Sequence, residues 1–210
     1  MSLEKITYPL TMTHRRTNLT SKPFDNPHIR QIIDRMIRTV TTLNINQEKF
    51  GRDVLICDPF ANNSFTSGLY NCITNDLNLE FDTNFNLEFK DFAKKMKLDK
   101  IKFDLILFDP PYSLRQLKDS YDGIGKDLEL WQTHNMWSEG KDHLIDCLIP
   151  GGYIISFGWH SSGWGKKRGM VKKEIHLFEQ VAREDRYDLI MTIERKEQSK
   201  LELLFEGIEE

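Results

Sequence analysis

Apolar side chains recur at Ile29, Ile32, Ile33, Met36, Ile37 and Val40, the spacing of one helix face. Asn26-Pro27 precedes this run, a capping residue followed by proline at the first helical position, so a helix is expected to begin there. Downstream the pattern changes to short continuous apolar runs. Asp53–Cys57, Asn71–Thr74, Phe103–Phe108 and Tyr153–Phe157 read as buried strands. Leu87, Phe89, Phe92, Ala93 and Met96 form a helix-like set, and Trp137 to Leu148 reads as a further helix ending before a turn at Pro150-Gly151-Gly152. Lys173–Gln180 and Leu189–Glu194 read as a closing strand pair. Residues 1–25 are polar, contain Pro9 and Pro23, and read as an irregular arm. No internal repeat or low-complexity segment interrupts the chain.

Strands alternating with helices predict an α/β domain. Its central sheet is expected to be mostly parallel, with helices on both faces and an antiparallel strand pair at the C-terminal end. The expected division is an arm over 1–25, one domain over 26–197 and an acidic tail over 198–210. The 210 residues suit one compact domain with a sizeable core and leave no room for a large separate recognition domain. No apolar run approaches the roughly 20 residues needed to span a membrane. The N-terminus lacks the charged-then-apolar pattern of a signal peptide, so a cytoplasmic protein without a membrane partner is expected. Cys57, Cys72 and Cys147 form no Cys-x-x-Cys pair; buried or half-buried thiols are expected, and no metal site.

Ligands of open α/β sheets bind beyond the carboxyl ends of the strands, so the residues that follow each strand matter most. These are Asp58-Pro59-Phe60, Asn75-Asp76, Asp109-Pro110-Pro111-Tyr112 and Gly158-Trp159-His160. The third carries the sharpest chemistry. An exocyclic amine on a nucleobase is a poor nucleophile because its lone pair is delocalised into the ring. The Asp109 carboxylate and the Pro110 carbonyl can accept hydrogen bonds from both of its N–H groups. Nitrogen is then drawn toward tetrahedral geometry, with its lone pair aimed at a methyl donor. Consecutive prolines Pro110 and Pro111 hold the backbone so that this carbonyl points outward rather than into a sheet ladder. Tyr112 offers a face on which an extruded base can stack.

Asp109-Pro110-Pro111-Tyr112 resembles motif IV of the amino-methyltransferases, which include the DNA N6-adenine and N4-cytosine enzymes. Cys57-Asp58-Pro59-Phe60 is similar to motif I of that group. Over residues 20–195 the chain resembles small DNA adenine methyltransferase-like proteins of phages and bacteria. The resemblance implies a Rossmann-like class I fold, S-adenosylmethionine as cofactor and DNA as partner in preference to RNA. It implies that Asp58, Pro59 and Phe60 border the cofactor and that Asp76 accepts hydrogen bonds from its ribose. It places Glu88 near its adenine and Lys22, with Pro23, near its methionine end. One departure stands out. Motif I usually continues into glycines, whereas here Ala61-Asn62-Asn63-Ser64 follows. Asn is the next most tolerant residue at positive φ, so Asn62 or Asn63 is expected to make the tight turn.

Net charge is −3, which does not announce a polyanion partner, but its distribution permits one. Residues 1–38 carry seven Lys or Arg against three Asp or Glu. Lys166, Lys167 and Arg168 follow a loop that holds Trp159, His160 and Trp164. That loop suits contact with an unstacked base and nearby phosphates, making Trp159, His160, Lys166, Lys167 and Arg168 candidate nucleic-acid contacts. The alternatives are tryptophans that cap the core and a solvated basic run. Tyr121 to Lys126, with two glycines, reads as an active-site lid or a plain surface loop. The leading expectation is methylation of DNA at adenine N6; the alternatives are methylation of RNA at guanine N2 or adenine N6, methylation of DNA at cytosine N4, and an inactive nucleic-acid-binding protein of this fold.

Overall fold

The computed structural model describes residues 9–20, 22–47, 53–69, 71–123, 125, 136–181 and 187–197. The expected acidic tail over 198–210 lies outside them, as do Ile124 and Lys126 of the expected lid. In chain order the elements are β1 (Thr11–Thr17), α1 (Pro27–Gln47), β2 (Ile56–Asp58), β3 (Cys72–Thr74), α2 (Phe89–Leu98), β4 (Phe103–Phe108), α3 (Leu114–Asp122), α4 (Ser138–Cys147), β5 (Leu148–Gly158), β6 (Met170–Gln180) and β7 (Leu189–Lys196).

The strands form one sheet of order β1-β6-β7-β5-β4-β2-β3. Strands β2, β3, β4 and β5 pair in parallel, and β1 pairs in parallel with β6. β7 is antiparallel to both β5 and β6, which makes the expected C-terminal strand pair. Six strands therefore share one direction. This is the expected mostly parallel, Rossmann-like α/β sheet.

Strand β4 shows why the sheet is covered on both faces. All six of its residues are buried. Leu105 and Leu107 face Ile29, Ile33, Met36 and Val40 of α1. Ile106 and Phe108 face Phe92 and Met96 of α2 and Leu144 of α4. Helices α2 and α4 approach closely at Gly140, where any Cβ would collide with the Phe89 ring. The α1 start matches expectation: Asn26 Oδ1 accepts from the His28 amide at 3.0 Å. The three cysteines are buried free thiols.

Two local expectations are corrected and one element is added. The arm is not irregular throughout, because Thr11–Thr17 forms an edge strand. Its side chains are almost all exposed, so no apolar alternation marks it. Backbone pairing with β6 holds it, helped by Thr13 Oγ1 to His176 Nδ1 at 2.6 Å and Arg16 to Glu179 at 3.0 Å. Pro150-Gly151-Gly152 is not a turn ahead of the strand but lies within β5, where the register with β4 shifts. Gly152 packs where a Cβ would meet the Asp104 carbonyl at 3.1 Å. The segment after Tyr112, to which the pattern assigns no element, is helix α3. Ser113 caps it by accepting from the Gln116 amide at 3.1 Å. Only Leu117 and Tyr121 of α3 are buried, one turn apart, which is too sparse a pattern to show in the sequence.

Candidate active site

Chain order reverses its direction across the sheet at β2. The chain leaves β2 for β3 on one side, and β4 lies on the other. The carboxyl ends of β2 and β4 therefore flank a topological switch point, where open α/β sheets bind ligands. A cavity of about 750 Å³ opens at this edge. Its wall takes Lys22 after β1, Pro59 to Asn62 after β2, Asn75 to Asn78 after β3, Asp109 to Tyr112 after β4 and Trp159 after β5. That volume lies in the range of pockets that enclose cofactor-sized ligands.

The loop after β2 is bent by Asn62, which sits at φ 47°. The expected glycine-free turn is thus made by asparagine. Its amide donates to Asp76 Oδ2 at 2.9 Å, and the Asn78 amide donates to Oδ1 at 2.9 Å. Asp76 is half-buried, and burial raises its carboxyl above the ordinary range. Each oxygen holds one backbone donor and retains acceptor capacity toward the cavity. Asn75 ties the same region together from behind. It is buried, donates to the Pro59 carbonyl at 3.1 Å and the Leu87 carbonyl at 3.0 Å, and accepts from the Leu87 amide.

Asp58 is brought to this edge but not into the wall. It is fully buried, accepts from Thr66 Oγ1 at 2.8 Å and from the Phe60 amide at 3.2 Å, and holds the loop from inside. Burial pushes its carboxyl up to about 7, against the lowering effect of those two donors.

Beyond β4, the Tyr112 hydroxyl donates to Asp109 Oδ1. Burial pushes the Asp109 carboxyl up to about 7, while the Tyr112 bond pulls it down. Burial, then the Asp109 charge, raises the Tyr112 hydroxyl above its usual value, so it stays a donor. The first turn of α3 holds the motif backbone: the Tyr112 amide donates to Gln116 Oε1 at 2.8 Å. Its last turn reaches the far side of the cavity, where the Tyr121 hydroxyl donates to Glu88 Oε2 at 2.5 Å. Tyr121 is buried, so this end of the expected lid is a fixed strut.

The candidate nucleic-acid residues separate. Trp159 is 38% exposed in the cavity wall, but Trp164 is 2% exposed and packs edge-on against Phe108, so it belongs to the core. His160 is exposed beside Ser162, outside the wall. Lys166 and Lys167 are exposed and also outside it. Arg168 is turned onto α4, bonding Asp142 at 2.7 Å and Ser138 Oγ at 3.0 Å. Sequence reasoning missed Tyr187, a wall residue 68% exposed. It stands two residues ahead of β7 with no motif around it, and only its contact with Trp159 marks it.

No protein-family model matches the sequence, and no curated protein does. Several solved structures resemble the chain at low identity. A putative methyltransferase, SMU.776, complexed with SAH, is 13% identical, with 79% of this chain and 48% of that chain covered at a TM-score of 0.47. TrmN from Thermus thermophilus is 14% identical, with 76% and 48% covered at a TM-score of 0.45. The putative methylase HI0767 from Haemophilus influenzae is 10% identical, with 80% and 88% covered at a TM-score of 0.46. The chain spans about half the length of the first two.

Proposed function

We propose that this chain is an S-adenosylmethionine-dependent methyltransferase acting on an exocyclic amino group of a nucleic-acid base, adenine N6 in DNA. One observation carries the reading. Asp109-Pro110-Pro111-Tyr112 and the half-buried Asp76 line the same cavity, at the switch point of a mostly parallel sheet. That juxtaposes an acceptor pair for an aromatic amine with a carboxylate suited to a ribose.

The residues present fit the cofactor. Asp76 keeps acceptor capacity for two vicinal hydroxyls, Glu88 supplies a second carboxylate in the wall, and Leu77 and Phe81 give apolar surface for a purine. Lys22, Pro59 and Phe60 line the same cavity. When bound, the cofactor supplies an electrophilic methyl group on a sulfonium sulfur.

The chain's own groups do the rest. Tyr112 presents its ring to the base. The Asp109 carboxylate and the Pro110 carbonyl accept hydrogen bonds from the two amine N–H groups and orient the nitrogen lone pair. This requires Asp109 in its charged form. The Tyr112 hydroxyl favours that form against burial, leaving a group that titrates near neutrality. As the nitrogen–carbon bond forms, the amine gains positive charge, and Asp109 is placed to take its surplus proton and pass it to water.

The test is to incubate the protein with labelled S-adenosylmethionine and unmethylated DNA or RNA, then identify the modified nucleoside by mass spectrometry. N6-methyldeoxyadenosine from DNA is expected. Asp109→Ala should lower turnover by about 10²–10³ with cofactor affinity retained. Label in RNA alone or on cytosine N4 would replace the substrate, and a fully active Asp109→Ala enzyme would overturn the mechanism.

A further inference from the structure

Tyr187 and Trp159 lie against each other at the cavity mouth, with ring centroids 4.6 Å apart and planes tilted by 51°. Trp159 in turn meets the edge of Tyr112, at 6.2 Å and 61°. The three rings run outward from the Asp109 motif to solvent, and exposure rises along them, from half-buried Tyr112 to 38% for Trp159 and 68% for Tyr187. Large aromatic rings are costly to leave in water, and these two belong to the cavity wall rather than to the core.

The charge of the wall narrows what they meet. Among its described residues, Asp25, Asp76, Glu88, Asp109, Asp119 and Asp188 face a single cation, Lys22. Such a wall repels phosphates and leaves uncharged, flat groups as the favourable contact for the outer rings. Stacking on aromatic rings is also the sequence-tolerant way to hold bases that have left a duplex.

Resting on the base-methylation reading above, we propose that Trp159 and Tyr187 form a stacking shelf for the unpaired base next to the target, so that the preferred substrate is single-stranded or looped nucleic acid. In a closed duplex the neighbouring base stays stacked in the helix and cannot reach the shelf. The shelf thus adds affinity only where the strand is already open, while the target itself goes on to Tyr112 and Asp109.

The test measures equilibrium binding of a fluorescein-labelled 15-mer of random sequence, single-stranded and as its duplex, with methylation scored separately. The parent should bind the single strand at least about 10-fold more tightly than the duplex. Trp159→Ala and Tyr187→Ala should each lose on the order of 10-fold on the single strand with little change on the duplex, and Tyr187→Phe should match the parent. Equal binding of both forms, a duplex preference, or alanine variants that bind single strands as the parent does would overturn the shelf. A parent that binds single strands through these rings yet methylates no nucleic acid would instead overturn the base-methylation reading.

Discussion

The backbone amide of Asn62 donates to Asp76 Oδ2 at 2.9 Å across two loops that follow adjacent strands. Asn62 makes this bond at the bend of its loop, where it sits at φ 47°. For an L-residue with a bulkier or branched side chain this conformation costs about 1–2 kcal/mol, whereas glycine adopts it freely. Asn62→Gly should therefore bind S-adenosylmethionine within a few-fold of the parent, and Asn62→Val should melt earlier and bind more weakly. Equal affinity of the valine variant by calorimetry would remove this turn from the cofactor site.

Asp76 is expected to carry the ribose. Removing a charged acceptor of two hydrogen bonds should weaken cofactor binding by about 1.5–3 kcal/mol. Because Asp76 also holds Asn62 and Asn78, Asp76→Asn is the control that keeps acceptor oxygen in place. Asp76→Ala should fall below Asp76→Asn, and both below the parent. A folded alanine variant with parental affinity would exclude the assignment.

The Tyr112–Asp109 bond has a kinetic signature. Asp109 titrates at about 7 and is needed ionised, so kcat/KM should rise with pH through neutrality. The Tyr112 hydroxyl lowers that value, so its loss in Tyr112→Phe should move the acid limb to higher pH. Stacking survives in phenylalanine, so the rate on the alkaline plateau should change little. Coincident pH profiles for the two enzymes would show that the hydroxyl does not tune the carboxyl.

Asp58 should act on stability rather than on the ligand. Its carboxyl is raised from 3.8 to about 7 by burial. The folded state therefore holds a proton that the unfolded state releases. Its contribution to stability is complete below about 4 and is lost as pH rises through 7. Asp109, raised likewise, adds a loss over the same window. Urea melts should show stability falling between about pH 4 and 7, and Asp58→Asn should flatten part of that slope. An unchanged slope in the variant would mean that Asp58 stays ionised throughout.

The basic cluster should divide by residue. Replacing Lys166 and Lys167 with alanine should flatten the salt dependence of single-strand binding by about 0.7 in log–log slope for each phosphate that the variant no longer neutralises. Arg168→Ala should leave the slope alone and lower the melting temperature, since Arg168 joins Asp142 and Ser138 of α4. A lysine double variant with the parental slope would return those residues to solvated surface.

Elements buried on a whole face were legible in the chain. Ile29 to Val40, Phe103 to Phe108 and Leu189 to Glu194 declare helix and strand because burial dictates which positions must be apolar, one face of the helix and short runs in the strands. The place of Asp109-Pro110-Pro111-Tyr112 at a strand end was legible as well, because an apolar run followed by consecutive prolines stops a strand. Strand β1 was not, because an exposed edge strand is held by backbone pairing and leaves no apolar alternation. Helix α3 buries only Leu117 and Tyr121, and its place depends on Glu88, 33 residues away. The turning of Arg168 onto α4 and the meeting of Tyr187 with Trp159 were likewise decided by tertiary structure alone. Each is a contact between residues apart in the chain, and local sequence carries the propensity of a segment but not the identity of the neighbour that folding brings to it.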